Sequence, residues 1–191
     1  MLVENLRTFV AIDVRVEPSL KSKWEELKQL LHNDSVKWVN EHTIHLTLLF
    51  LGETTPLQVK GVSQALEKTL KNISGFKISI SGLGLFGNPN NPKVIWTGIS
   101  ESQSLYQLKE KVDIALSPLG FEYPQSKFSP HLTLGRIKHI KSANELNCFI
   151  KSHKSLHFYD VEVNKVIFYQ SILSPNGPIY KPLNELKLLS L

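Results

Sequence analysis

The chain has 191 residues, a formal net charge of +5, a pI near 9.2 and a single cysteine, Cys148. That length buries a core without disulfides or metals as staples, and one cysteine excludes an intramolecular disulfide, which suits a reducing cytoplasm. No stretch reaches the roughly 18 apolar residues of a spanning helix, and MLVENLRTFVAIDV lacks the pattern of a secretory leader, so a soluble, unexported protein away from membranes is expected.

The positive charge favours polyanionic partners, although the lysines are scattered rather than massed in a tract. Cys148 reads as a small buried hydrophobe. RTFVAIDV (7–14), rich in β-branched and aromatic residues, reads as a strand. Leu20, Trp24, Leu27 and Leu31 recur at helical spacing behind Pro18 and predict a helix from Ser19 to about Leu31. HLTLLFLG (45–52) reads as a strand, and Thr55, Pro56 and Gln58 form a capping box that opens a helix carrying Val59, Val62, Leu66 and Leu70. FKISISGLGLF (76–86) reads as a strand bent at its glycines, followed by a turn-rich loop from Gly87 to Pro92.

Beyond that loop the same order begins again. KVIWTGI reads as a strand, Leu105, Leu108, Val112 and Leu116 mark a helix, and HLTLGRI (131–137) reads as a strand. Ser142 and Glu145 form a second capping box, opening a helix that buries Leu146, Phe149 and Ile150. SLHFYDVEVNKVIFYQSIL then gives a strand pair with a turn near Asn164. Phe9 precedes His45, and Ile95 precedes His131, by the same 36 positions, and the caps at Thr55 and Ser142 follow their histidines by 10 and 11. The expectation is an α+β protein, one two-lobed domain over 1–191, with pseudo-repeats at about 7–87 and 92–173. Each duplicated β-α-β-α-β half contributes an antiparallel sheet with helices outside, and the two sheets face a central cleft.

The chemistry lies in the repeated tetrapeptide His45-Leu46-Thr47-Leu48 and His131-Leu132-Thr133-Leu134. On a strand each histidine shares a face with the threonine two residues on, while the leucines point into the core. Two imidazoles and two hydroxyls meeting in a cleft make a phosphate-sized cage with two groups that exchange protons near neutral pH. Phosphoryl chemistry needs that set, because attacking water must lose a proton, the opposite alkoxide must gain one, and the charged oxygens need donors. Arg136 extends the second motif and offers a bidentate phosphate contact, whereas Phe50 holds the matching place in the first. No metal is required when the attacked phosphate is a strained cyclic diester. His42 stands at an odd spacing from His45, and His153 and His157 lack a thiolate pair, so neither set reads as a metal site. Trp38, Phe9, Phe86 and Trp96 read as core before base-stacking platforms.

These motifs, with RTFVAID, VKWVNEHTIHLTLLFLGE, FGNPNNPKVIW, FSPHLTLGRIK and the late YQSIL…GPIY, resemble the two-histidine phosphoesterase superfamily over essentially the whole chain. Within it the chain is similar to the bacterial and archaeal RNA 2′,3′-cyclic phosphodiesterases, once named 2′-5′ RNA ligases. The resemblance implies metal- and cofactor-free opening of 2′,3′-cyclic phosphates, on RNA ends or cyclic nucleotides, to 2′-phosphomonoesters. Reversible 2′-5′ RNA ligation is part of the same likeness. It makes His45 the proton donor, His131 the acceptor, and Thr47, Thr133 and Arg136 phosphate contacts, in a monomeric cytoplasmic hydrolase of RNA processing. The alternative is a module that binds RNA ends or nucleotides without turnover.

Overall fold

Alternating apolar residues and turn signals become nine strands and four α-helices among the residues described, 4–100, 102–122, 127–175 and 177–190 of a computed structural model. In chain order these are β1 (Leu6–Asp13), α1 (Pro18–Leu30), β2 (Ser35–Trp38), β3 (His45–Thr54), α2 (Pro56–Leu70), β4 (Phe76–Asn88) and β5 (Asn91–Ile99). There follow α3 (Gln103–Leu116), β6 (His131–His139), α4 (Ala143–Ser152), β7 (His157–Val163), β8 (Lys165–Ser174) and β9 (Gly177–Lys187). The strands form two antiparallel sheets, in the orders β3-β1-β8-β9 and β2-β6-β5-β4-β7.

The halves do not each keep a sheet to themselves. β4, the last strand of the first half, pairs with β5, and β8, late in the second, pairs with β1. The cause is local: β4 and β5 are joined only through Pro89 and Asn90, with Asn90 N–H donating to Asn88 Oδ1 at 2.8 Å, so the turn-rich stretch is a tight hairpin rather than an open loop. The helices exchange likewise, α2 and α3 lying beside the β3-containing sheet and α1 and α4 beside the other. Buried side chains from both sheets and all four helices form one continuous core.

Three further expectations change. The strands flanking Asn164 are present, but β7 pairs with β4 and β8 with β1 and β9, because a single intervening residue is too short for a hairpin and the chain passes from one sheet to the other. The Thr55–Gln58 capping box forms, whereas Ser142 makes no side-chain cap. At α4 the Asp34 carboxylate, 107 and 108 positions upstream, accepts from Lys141 N–H at 2.5 Å and Ser142 N–H at 3.4 Å instead. Cys148, expected inside, is exposed on α4.

Candidate active site

Both histidine strands carry the same irregularity, and it aims the site. In β6 the register runs Trp96 opposite Thr133 and then Ile95 opposite Gly135, leaving Leu134 as a bulge. The extra residue reverses the alternation, so Arg136 comes out on the face of His131 and Thr133 although its spacing from Thr133 is odd. β3 has the equivalent bulge at Leu48, between Ala11 opposite Thr47 and Val10 opposite Leu49, which brings Phe50 to the face of His45 and Thr47. Leu46, Leu48, Leu132 and Leu134 are all at most 2% exposed and anchor both strands in the core.

The same register corrects the spacing match between the halves. Val10 takes the place of Ile95, both buried in the core, so the first half is one residue shorter before its histidine than the count from Phe9 implies. Phe9 consequently faces the cleft, in a small cluster with Ala11, Ile167, Tyr169 and Tyr180 separate from the main core. Asp13 lies opposite His45, while Gly98 lies opposite His131.

His45, Thr47, His131, Thr133 and Arg136 all line one cleft of about 470 Å³, with Arg7, Phe9, Lys37, Trp38, Phe50 and Tyr180 on its walls. His45 Nδ1 stands 2.8 Å from the Thr43 carbonyl, and His131 Nδ1 stands 2.7 Å from the Ser129 carbonyl. A carbonyl only accepts, so each Nδ1 carries the hydrogen and each Nε2 is left for the cleft. His45 also packs against Phe9 (centroids 4.9 Å apart) and edge-on to Tyr180 (5.0 Å), while His131 meets Phe86 edge-on at 4.8 Å. Such packing fixes the ring planes.

Burial is the main cause that holds both imidazoles below the ordinary histidine value, opposed by their carbonyl hydrogen bonds. The remaining influences differ. Asp13 raises His45 and the facing His131 lowers it, whereas Arg136 lowers His131. The other histidines are absent from the cleft lining, His157 sitting instead 3.0 Å from Asp160 on β7. Among the described residues no cluster of three or more His, Cys, Asp or Glu side chains is placed to hold a metal ion, and no helix is long and apolar enough to cross a membrane.

Sequence reading missed Arg7, Lys37 and Tyr180. Arg7 lies in β1 across from Glu53 and places its guanidinium 5.0 Å over the Phe50 ring, where Phe50 replaces an arginine. Lys37 sits in the four-residue strand β2, which has too few residues for a periodic signal. Tyr180 reaches His45 only through the β8–β9 pairing. Of the four aromatics read as core, Phe9 and Trp38 line the cleft, and Trp96 packs against Gly84, where a Cβ would stand 2.2 Å from its ring.

A model of the LigT-like phosphoesterase family matches the chain twice, over residues 12–96 and 98–180. The chain is 37% identical to a protein of Archaeoglobus fulgidus named RNA 2′,3′-cyclic phosphodiesterase, over 93% of this chain and 98% of the relative. A Thermotoga maritima protein of the same name is 33% identical over 94% of each. The crystal structure of TT0787 of Thermus thermophilus superposes with a TM-score of 0.78 at 23% identity, covering 97% of this chain and 99% of that one. Duplicate family matches over a fold with paired histidine strands lead to one conclusion: this chain belongs to the LigT-like phosphoesterases.

Proposed function

We propose that the cleft hydrolyses 2′,3′-cyclic phosphates, at RNA ends or on nucleotides, to 2′-phosphomonoesters without a metal. The observation that carries this reading is the matched pair of imidazoles, one from each bulged strand, each bonded through Nδ1 to the carbonyl two residues before it. The names of the Archaeoglobus and Thermotoga relatives support the same activity.

In this mechanism water attacks phosphorus and gives its proton to Nε2 of His131, which burial, and after it the Arg136 charge, favours in the neutral, accepting form. The bond from phosphorus to the ribose 3′-oxygen breaks, and Nε2–H of His45, favoured as a donor by Asp13, protonates the leaving oxygen. The phosphate remains on the 2′-oxygen. Thr47, Thr133 and Arg136 donate to its non-bridging oxygens, in a cleft where partial burial strengthens each contact. Ligation of 2′-5′ ends is the same step with a 5′-hydroxyl attacking in place of water, and its reversal cleaves a 2′-5′ bond to re-form the cyclic phosphate. Because one chain supplies both histidines, a monomer working as one two-lobed unit, with sequence halves 7–87 and 92–173, suffices.

Phosphorus NMR of the product from a nucleoside 2′,3′-cyclic phosphate tests the reading. The 2′-monophosphate is expected. A 3′-monophosphate would reverse the orientation, and bound but unchanged cyclic phosphate would leave a module that only binds ends.

A further inference from the structure

The mouth of the cleft carries more positive charge than the reacting phosphate uses. Lys37 on β2 lies directly opposite Arg136 on β6, so two exposed cations share one face of neighbouring strands, an arrangement that is unfavourable unless an anion lies between them. Arg7 enters the same cleft from the other sheet, across from Glu53 in the β1–β3 register and with its guanidinium over Phe50. The ion pairs of the described residues all lie elsewhere on the molecule, and none involves Arg7, Lys37 or Arg136.

Position separates Lys37 from the reacting atoms. At about 3.3 Å per residue the backbone of the Arg136–Lys37 pair is roughly 7 to 10 Å beyond Thr133, a span that the long Arg136 side chain bridges back to the reacting phosphate. Lys37 stands one strand further out, on the edge strand β2. Apolar surface borders the same mouth: Phe50 is 50% exposed and Leu173, near the end of β8, is 71% exposed, and both line the cleft. Large apolar side chains beside unpaired cations form a surface on which a base lies flat while its phosphate meets charge, as in grooves for single-stranded nucleic acid.

We propose that Lys37 and Arg7 seat the phosphodiester next to the reacting one. The cleft therefore takes the cyclic-phosphate end of an oligonucleotide in preference to a nucleoside 2′,3′-cyclic phosphate. This rests on the cyclic phosphodiesterase reading of the histidines and adds to it a specificity-determining role for Lys37. Arg136 lies between the two phosphates, and the base of the added nucleotide rests against Phe50 and Leu173.

Binding and turnover are measured separately, so that each claim can fail alone. Affinities are compared for a dinucleotide ending in a 2′-phosphate and for the matching nucleoside 2′-phosphate, using wild-type protein, Lys37→Ala, Lys37→Arg and Arg7→Gln. The dinucleotide is expected to bind at least about tenfold more tightly, the value of one charged hydrogen bond. Lys37→Ala and Arg7→Gln each remove most of that advantage and lower the salt dependence of dinucleotide binding by about one ion, while Lys37→Arg keeps it. Thermal melting checks that the variants stay folded. Equal affinity of the two ligands for wild-type protein, or an advantage untouched by Lys37→Ala, would overturn the subsite. Hydrolysis of the two corresponding cyclic phosphates is followed in parallel. Tighter dinucleotide binding with no hydrolysis of either would refute the catalytic reading and leave the subsite standing.

Discussion

Asp13 stands opposite His45 in the β1–β3 register, at the place where the other half has Gly98 opposite His131. Burial lowers both imidazoles, but a carboxylate that raises one and a guanidinium that lowers the other break the near-symmetry of the pair, in the sense that the proposed mechanism needs if His45 is the donor. Asp13→Asn removes an influence that raises the His45 value, so the limb of the rate profile that reports loss of the acid moves to lower pH. The expected loss of kcat grows with pH and is smallest near pH 5. A pH–rate profile of the variant that overlays the wild-type one would remove Asp13 from the proton assignment. Both limbs belong to the coupled pair of histidines and are compared as such.

Thr47 and Thr133 share a cleft face with the two imidazoles, and valine matches threonine in shape while deleting the hydroxyl. Each Thr→Val change is expected to cost about 1 to 3 kcal/mol of transition-state stabilisation, the value of one hydrogen bond to a charged oxygen. The loss should fall on kcat/KM for cyclic phosphate, read by steady-state kinetics. Two unchanged variants would mean that the hydroxyls do not touch the phosphate.

Burial lowers both cleft histidines below their unfolded value near 6.5. Between the folded values and 6.5 the unfolded chain binds more protons than the folded one, so stability is complete above 6.5 and falls as the pH drops through that window. Urea midpoints at pH 5 and 7.5 measure the difference. The double variant His45→Gln, His131→Gln should show a smaller one, and an equal or larger difference would contradict the buried, neutral resting state.

The long elements were readable in the sequence because their apolar positions repeat at clear periods: the five expected elements of each half, the Thr55 cap and the two histidine strands stand where the pattern placed them, while the short strand β2 inside the first half and β9 after the second were not foreseen. The bulges at Leu48 and Leu134 left no such trace, since inserting a residue alters pairing without altering composition. For that reason Phe9 counted as the counterpart of Ile95 in the sequence, whereas it lines the cleft and Val10 fills the core. Exchange of β4 and β8 between sheets was hidden too, because strand periodicity carries no information about the neighbour a strand chooses. The paired histidines and threonines were legible because they repeat. Arg7, Lys37 and Tyr180 occur once each, and pairing across strands brings them to the site.

Initial rates on a nucleoside 2′,3′-cyclic phosphate in excess EDTA, for wild-type protein, His45→Ala and His131→Ala, test the central claim most directly. Wild-type activity should persist in chelator, since neither histidine is needed as a ligand. Each single substitution should lower the rate by about 10² to 10⁴, the usual contribution of a general acid or base, with the far-UV circular dichroism unchanged. Either folded variant retaining close to the wild-type rate would contradict the account, because a mechanism shared between two imidazoles cannot run on one.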